Sequence, residues 1–323
     1  MIKCSLNSKK IVEILSSVVD SSVEEFQIDN ITSIDFLSDS SVVFIKRITQ
    51  DLLSQINKYK DLLVVTENPQ LLTNNYITVK NTRLEMAKLL SEINNTTKKY
   101  DDSLYFVSEN VQISDSVIIE PFVFIDDNVI IGENSIIKSG SKIFSKTIIG
   151  KNSIIRENSV VGGQGFGVEK DELGNNFKIP HLGGVVIGDF VEVGALNTIV
   201  SGTINPTIIM DYTKIDDHVH IAHNCKIGKN CIITAGTIFS GSVELGDNSW
   251  TGPNSSIKNS LQIAKNTLIG IGSVVTKNIL IENSTYAGNP AKEFKQYLDE
   301  KRKNEFFLDN YDKFNKLISE VEK

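Results

Sequence analysis

Three of the four histidines in this 323-residue chain lie close together in the sequence, at His218, His220 and His223. An imidazole titrates near neutral pH, so it can accept a proton from a reacting group or bind a metal ion. A metal site requires ligands that converge on one point, whereas a general base can act alone. Which chemistry is available therefore depends on the elements that carry these side chains.

A ladder of apolar residues, six positions apart, surrounds the histidines. It runs from Val107 to Val161, from Ile187 to Ile199 and from Ile209 to Ile281, with one polar position at Thr251. A small or β-branched residue usually follows four positions later. A helix requires a period near 3.6 and a single amphipathic strand a period of 2. A period of six predicts short strands that alternate with turns, which is typical of a β-solenoid.

The ladder places His223 on the outside of the solenoid. Ile221 is the inward-facing residue of its repeat and Cys225 fills the small inward position, so His223 lies at the corner between them. His220 directly precedes Ile221 and His218 lies two positions earlier, so the three rings should diverge around a turn. The pattern therefore favours a lone imidazole over a three-histidine metal site, and we expect no bound metal.

Composition limits the function classes. Hydrophobic residues make up 40% of the chain and the formal net charge is −7, which argues against non-specific binding to nucleic acid or anionic membranes. Cys225 and Cys231 fall on small inward positions, and Cys4 stands alone, so no disulfide framework is indicated. With neither a signal peptide nor an apolar run long enough to cross a bilayer, the chain is expected to be cytoplasmic, with no membrane span.

The ladder also divides the chain into domains. Residues 1–95 lack it and read as a small α/β domain, with a polar linker at residues 94–102. The solenoid is predicted over 103–285, with an inserted loop at 162–184 and a shorter interruption at 201–207. Residues 286–323 form a C-terminal helical segment that would cap the open end of the solenoid. Within the first domain the patterns predict helices near 9–19, 51–58 and 84–93, and strands near 42–46, 62–66 and 76–79.

Several motifs in a fixed order carry a family resemblance. They are Gly163-Gln-Gly-Phe-Gly167, Lys178-Ile-Pro180, Val186-Ile-Gly-Asp189, Lys214-Ile-Asp216 and Ile221-Ala-His-Asn224. This chain resembles the UDP-3-O-acylglucosamine N-acyltransferases of lipid A (lipopolysaccharide) biosynthesis, which are hexapeptide-repeat acyltransferases. The resemblance implies a left-handed parallel β-helix with three hexads per coil, a uridine-binding N-terminal domain, C-terminal helices and a homotrimer. It also implies transfer of an acyl group from acyl carrier protein or CoA to the amine of a nucleotide-linked amino sugar, without a permanently bound cofactor.

The resemblance assigns roles within the solenoid. His223 matches the general base that takes a proton from the sugar amine, and Asp216 matches an acid that orients this base. Gly241 follows His223 by three hexads, which places it one coil further on at the same corner, and it matches the glycine whose amide binds the oxyanion.

The resemblance also implies substrate-binding positions. In the N-terminal domain, Phe44 matches an aromatic residue that stacks on uracil, and Asn81 matches another position of that site. In the solenoid, Gln164 and Phe166 of the glycine-rich loop and Asn224 beside the base are expected to contact substrate.

Departures from the family pattern keep alternatives open. Asn259-Ser260 stand where the family has a second histidine, and Ala287-Gly-Asn-Pro-Ala-Lys292 resembles the closing motif of CoA-dependent sugar acetyltransferases. An N-acyltransferase that uses CoA and another nucleotide-linked amino sugar of O-antigen or capsule synthesis is therefore an alternative. A γ-carbonic-anhydrase-like metalloenzyme and a non-catalytic β-helix scaffold are weaker alternatives.

Overall fold

The computed structural model describes residues 2–72, 75–94 and 104–321. The chain forms two compact units, Met1–Lys99 and Tyr100–Lys323. Of the linker predicted over residues 94–102, only Asn94 lies within the described residues.

The first unit is a six-stranded sheet with helices. In chain order its elements are β1 (Ile2–Asn7), α1 (Ser8–Ile14), β2 (Val18–Ser22), β3 (Gln27–Thr32), a 3₁₀ turn (Ile34–Phe36), β4 (Ser41–Ile45), α2 (Gln50–Ile56), β5 (Leu62–Thr66), β6 (Tyr76–Val79) and α3 (Thr82–Asn94). The strand order is β1-β3-β4-β5-β6-β2, with β3 to β6 parallel and the two outer strands antiparallel to their neighbours. Val42, Leu63, Val65 and Ile77 are fully buried in this sheet.

Two expectations for this unit were wrong in detail. The helix predicted near 9–19 ends at Ile14, and its last residues enter β2. The buried carboxylate of Glu85 in α3 accepts hydrogen bonds from the Ser16 amide at 2.8 Å and the Ser17 hydroxyl at 2.9 Å. These tertiary bonds hold an extended backbone that the local pattern did not indicate. Strands β1 to β3 were not predicted, because polar residues interrupt their apolar positions.

The second unit is a parallel β-helix with three faces, so the predicted β-helix fold is confirmed. The first face contains Phe106–Val107, Phe124–Ile125, Lys142–Ile143, Val160–Gly163, Thr198–Val200, His220–Ile221, Ile238–Phe239, Ser256–Ile257 and Val274–Val275. The second face contains Gln112–Ile113, Ile130–Ile131, Thr147–Ile149, Val185–Ile187, Thr207–Ile209, Lys226–Ile227, Glu244–Leu245 and Gln262–Ile263. The third face contains Ile118–Ile119, Ile136–Ile137, Ile154–Ile155, Glu192–Val193, Lys214–Ile215, Ile232–Ile233, Trp250–Thr251, Leu268–Ile269 and Thr285–Ala287, with Lys292–Glu293 antiparallel at its end.

The ladder residues fill the interior of this prism, and the small positions complete it. Ile125, Ile155, Ile221 and Phe239 are fully buried. Hydroxyls at the small positions donate to backbone carbonyls of a neighbouring coil, as Ser153 does to Gly188 at 2.9 Å. Such bonds satisfy polar groups that would otherwise destabilise a buried position.

Most turns place the residue three positions after the ladder residue in the left-handed region. Asn occupies this position repeatedly, because asparagine tolerates positive φ better than most residues do. Asn224 has φ of 60° and His218 also has φ of 60°. The backbone alone therefore favours asparagine at position 224.

The prediction that Ile281 is the last inward-facing residue of the ladder is wrong. Ile281 is 64% exposed, whereas Ile279 is 1% exposed and bridges Ile263 of the preceding coil. The final repeat is shorter than the periodicity predicts, because the chain leaves the six-residue register there. Beyond it come the helices α4 (Phe294–Asp309) and α5 (Tyr311–Val321), in the segment predicted to be helical.

Both insertions leave the β-helix at the same edge, between the first and second faces. On the first face Val160 pairs with Thr198, and Thr198 pairs with His220. A regular coil takes three hexads, as between the paired residues His220 and Ile238. The chain takes more than three hexads between the members of each of the two preceding pairs. The first insertion carries an antiparallel hairpin, Gly167–Lys170 with Asn176–Ile179. His223 and Gly241 follow at the same edge in the next two coils, so four consecutive coils contribute to one corner.

Candidate active site

His223 lies at this edge directly after the strand His220–Ile221, as its position in the hexad predicts. Its side chain is half-buried. Burial, together with the charges of His181 and His220, holds the pKa of His223 below its usual value. A neutral imidazole that persists below pH 6.5 is suited to accept a proton at neutral pH.

Asn224 fixes the hydrogen bonding of the His223 ring. The Thr203 amide, in the second insertion, donates to Asn224 Oδ1 at 2.7 Å, which orients the side-chain amide. Asn224 Nδ2 then faces His223 Nδ1 at 3.1 Å. Because an amide NH₂ can only donate, Nδ1 is the acceptor, and the neutral ring carries its hydrogen on Nε2. Asn224, expected to bind substrate, thus contacts the proposed base and the second insertion.

Gly241 lies beneath the His223 ring, one coil along, as the spacing of three hexads predicts. A Cβ added at Gly241 would lie 2.5 Å from His223 Cε1 and 2.7 Å from Nε2, so only glycine leaves room for the ring. No described residue accepts a hydrogen bond from the Gly241 amide. At the neighbouring corner, by contrast, Asp247 Oδ1 accepts from the Lys229 amide at 2.7 Å. The Gly241 amide is therefore a free donor close to the imidazole.

His181, in the first insertion, completes the corner and was missed by the sequence analysis. Its ring is 4.8 Å from that of His223, measured between centroids, with an interplanar angle of 54°. The side chain is 2% exposed. The sequence carried a weak signal, since His181 directly follows the Lys178-Ile-Pro180 motif, but nothing in its spacing linked it to His223.

Asp216 does not contact His223 within one chain. It lies after Lys214–Ile215, at the edge between the third and first faces. Its oxygens accept from the amides of Asp217 at 2.8 Å and Ala235 at 3.2 Å. The contacts seen here are those of a turn-capping acid, and its orienting role stays a prediction.

Gln164 and Phe166 have different surroundings in the first insertion. Gln164 exchanges two hydrogen bonds with the backbone of His181, both at 3.0 Å. Phe166 is 87% exposed and so is available to a ligand or a second chain. The structure thus gives Gln164 a role in holding the loop, while the predicted substrate contacts of both residues stay predictions.

The other two histidines of the cluster point elsewhere. His218 is exposed at its corner, and His220 Nδ1 lies 2.6 Å from the Thr198 hydroxyl. Among the described residues, no group of three or more His, Cys, Asp or Glu side chains could hold a metal ion.

A cavity in the first unit contains both residues expected to bind the nucleotide. It has a volume of about 510 Å³ and is lined by Phe44, Lys46, Glu67, Asn81, Thr82, Arg83 and Met86. Asn81 Oδ1 accepts from the Leu84 amide at 3.0 Å, so this side chain also caps α3. The cavity combines an aromatic wall with two cationic side chains, of which Lys46 also pairs with Glu67 at 3.7 Å.

Comparison with known proteins identifies the repeat. Residues 110–145 and 206–241 match the family model described as bacterial transferase hexapeptide (six repeats), and the second match contains His223 and Gly241. The described residues form no helix that is both long and apolar enough to cross a membrane.

Similar proteins are acyltransferases by name. The chain is 54% identical over 174 residues to UDP-3-O-acylglucosamine N-acyltransferase of Campylobacter lari, covering 54% of each protein. It is 41% identical over 127 residues to the Campylobacter curvus protein of the same name, covering 39% of this chain and 40% of the relative. The chain thus spans about half the length of the curated relatives it matches.

A solved structure extends the similarity. The UDP-N-acetylglucosamine acyltransferase from Campylobacter jejuni superposes with a TM-score of 0.53 at 30% identity. The match covers 59% of this chain and 72% of that one. Together with the hexapeptide model and the observed β-helix, these matches show that the chain belongs to the hexapeptide-repeat acyltransferases.

Proposed function

We propose that this protein is an N-acyltransferase that moves an acyl group from a thioester to the amine of a nucleotide-linked amino sugar, as in UDP-3-O-acylglucosamine N-acylation. The observation that carries the proposal is the His223 imidazole lying against Gly241, whose amide has no partner among the described residues. A proton acceptor beside a free N–H donor is the pair of groups that acyl transfer to an amine requires.

In the proposed reaction, the sugar amine attacks the thioester carbonyl carbon. A C–N bond forms, the carbonyl oxygen becomes an oxyanion, and His223 takes the proton that the amine loses. The Gly241 amide donates to the oxyanion, which then collapses as the C–S bond breaks. The leaving thiolate receives a proton, for which the His223 imidazolium is the nearest source. No metal or permanently bound cofactor takes part in this scheme, and the thioester is a co-substrate.

The hydrogen bond from Asn224 constrains the base. While Asn224 donates to Nδ1, the lone pair of the neutral ring points at Asn224 and Nε2 carries hydrogen. The amine proton must therefore arrive at Nδ1 in place of the Asn224 contact, or the ring must change tautomer before attack. Either route gives Asn224 control over the reactive form of His223.

The cavity of the first unit supports a nucleotide-linked acceptor. Phe44 offers a face for a base, and Lys46 and Arg83 offer positive charge for phosphates. Such an acceptor and a thioester donor fit the cytoplasmic location predicted from the sequence.

The proposal is tested with purified full-length protein and matched substrates. UDP-3-O-acylglucosamine is incubated with an acyl carrier protein thioester or with acyl-CoA, and the product is identified by mass spectrometry. We expect acylation of the amine with one of these donors, and no product when the amine is already acetylated. Acylation of UDP-N-acetylglucosamine instead, the acceptor named for the solved relative, would contradict the proposal. Transfer from CoA to other nucleotide-linked amino sugars only would favour the O-antigen or capsule alternative.

A further inference from the structure

His181 is a buried histidine that core packing does not explain. Its side chain is 2% exposed, and neither ring nitrogen has a hydrogen-bond partner among the described residues. A buried polar group without a partner costs stability, and a phenyl ring would occupy a similar volume without this cost. The imidazole is therefore expected to serve the site that it borders.

The first insertion is built around this ring. Gln164 holds the His181 backbone through two hydrogen bonds of 3.0 Å. A Cβ at Gly165 would lie 2.6 Å from His181 Cδ2, and one at Gly167 would lie 3.0 Å from Cε1. The glycines of the loop thus let the backbone close on the imidazole, which fixes its position.

His223 is enclosed by contacts on three sides. The His181 ring lies 4.8 Å away, Asn224 donates to Nδ1, and Gly241 lies beneath the Cε1–Nε2 edge. The titratable groups that act on His223 are His181 from the first insertion and His220 from its own strand. No described carboxylate forms a hydrogen bond or ion pair with His181 or His223.

Two imidazolium ions in contact would repel each other without a nearby anion to offset their charges. The neighbouring His181 ring therefore disfavours protonation of His223, whose pKa is held below its usual value. The neutral form of His223, which can accept a proton, is thereby favoured.

We infer that His181 is a positioning residue, which holds the His223 ring over Gly241. This inference rests on the proposed acyl transfer, because it assigns His181 to the site of that reaction. It acts through His223 and needs no contact with substrate.

The first test measures protonation without substrate. Only four histidines are present, so ring carbon-13 NMR signals of the full-length protein can be assigned with single variants. The ring signals of His223 then report its titration directly. His181→Phe keeps a flat ring and removes the neighbouring imidazole, so the titration midpoint of His223 should rise by at least about half a pH unit. The control His218→Ala should leave the His223 midpoint unchanged.

A second variant and an activity readout separate the possible outcomes. Gly165→Ala keeps the imidazole but displaces it, so it should also shift the His223 titration midpoint, even if His181→Phe folds poorly. In the acyl-transfer assay, we expect His181→Phe to lower kcat about tenfold to hundredfold, with little change in KM for the nucleotide sugar. An unchanged His223 titration in both variants overturns the inference and leaves the proposed function standing. If the His223 midpoint shifts in both variants but the wild type transfers no acyl group, the proposed function is overturned and His181 only positions the His223 ring.

Discussion

Removing the His223 side chain tests its role as the base. His223→Ala should lower kcat about 10²- to 10⁴-fold, because the amine loses its proton acceptor. Folding should change little, since the ring lies at a corner outside the β-helix core. His218→Ala is a matched control at an exposed corner and should retain nearly full activity. If His223→Ala keeps more than roughly a tenth of wild-type turnover, the assignment is wrong.

The pH dependence tests the surroundings of the same ring. A histidine base accepts a proton only when neutral. The full kcat is therefore reached above the pKa of His223 and is lost as the pH falls through that pKa. Because burial and neighbouring histidines lower the pKa of His223, the acid limb of kcat should lie below pH 6.5.

Asn224→Asp should move the acid limb of the kcat–pH profile to higher pH. Aspartate can keep the bond from the Thr203 amide and tolerates the positive φ, but it adds a negative charge beside Nδ1. It also accepts from Nδ1–H, which leaves the Nε2 lone pair free for substrate. If the acid limb of kcat lies at the same pH in this variant as in the wild type, Asn224 does not act on the base.

A pair of isoleucines at the end of the ladder tests which residue fills the last coil. Ile279→Ala should lower the free energy of unfolding by about 2–5 kcal/mol, because it removes a buried side chain. Ile281→Ala should stay within about 0.5 kcal/mol of wild type, because its side chain is mostly exposed. Urea unfolding followed by circular dichroism measures both, and equal effects would contradict the register seen here.

The cavity of the first unit gives a matched test of nucleotide binding. Phe44→Ala should raise the Kd for UDP about fivefold to hundredfold, since stacking on the base is lost. Phe36→Ala removes an exposed phenylalanine of the same unit that does not line the cavity, so it should bind as the wild type does. Calorimetric titration measures both affinities, and unchanged binding to Phe44→Ala would exclude this cavity as the nucleotide site.

Periodic elements were the most predictable parts of the chain. The six-residue repeat predicts the short strands and the corner position of His223 from local pattern, whereas the three faces were expected from the family resemblance. The proximity of His223 and Gly241 follows once a coil is known to take three hexads. The sequence could not reveal the contact between His181 and His223, because an insertion out of phase with the repeat brings them together. Likewise, the extended backbone that leads into β2 depends on the tertiary contacts of Glu85 with Ser16 and Ser17.

At the scale of the whole molecule, the corner of His223 is expected to need a second chain. We expect a homotrimer, in which a neighbour covers the half-buried imidazole and the exposed Phe166. Light scattering at micromolar concentration should give about three times the 35.8 kDa of one chain. A monomer at that concentration would exclude this arrangement.

Mixed trimers would show whether Asp216 acts across such an interface. Asp216 and His223 lie on different edges of one prism, so an orienting contact requires two chains. His223→Ala and Asp216→Ala should each lower activity alone. Coexpressed, they should regain part of it, because some interfaces then pair an intact His223 with an intact Asp216. If verified mixed trimers regain no activity, the role of Asp216 is turn capping only.

Two successive coils place insertions at one edge of the β-helix, and the next two place His223 and Gly241 there. Val160, Thr198 and His220 remain paired in sequence although insertions of different length separate them along the chain. Loop length at this edge is therefore independent of core geometry, much as the length of an antibody loop is independent of its framework. We expect that whole loops can be exchanged at this edge without repacking of the interior. This freedom makes the 162–184 insertion a natural segment for grafting between relatives that share the β-helix but act on different sugars.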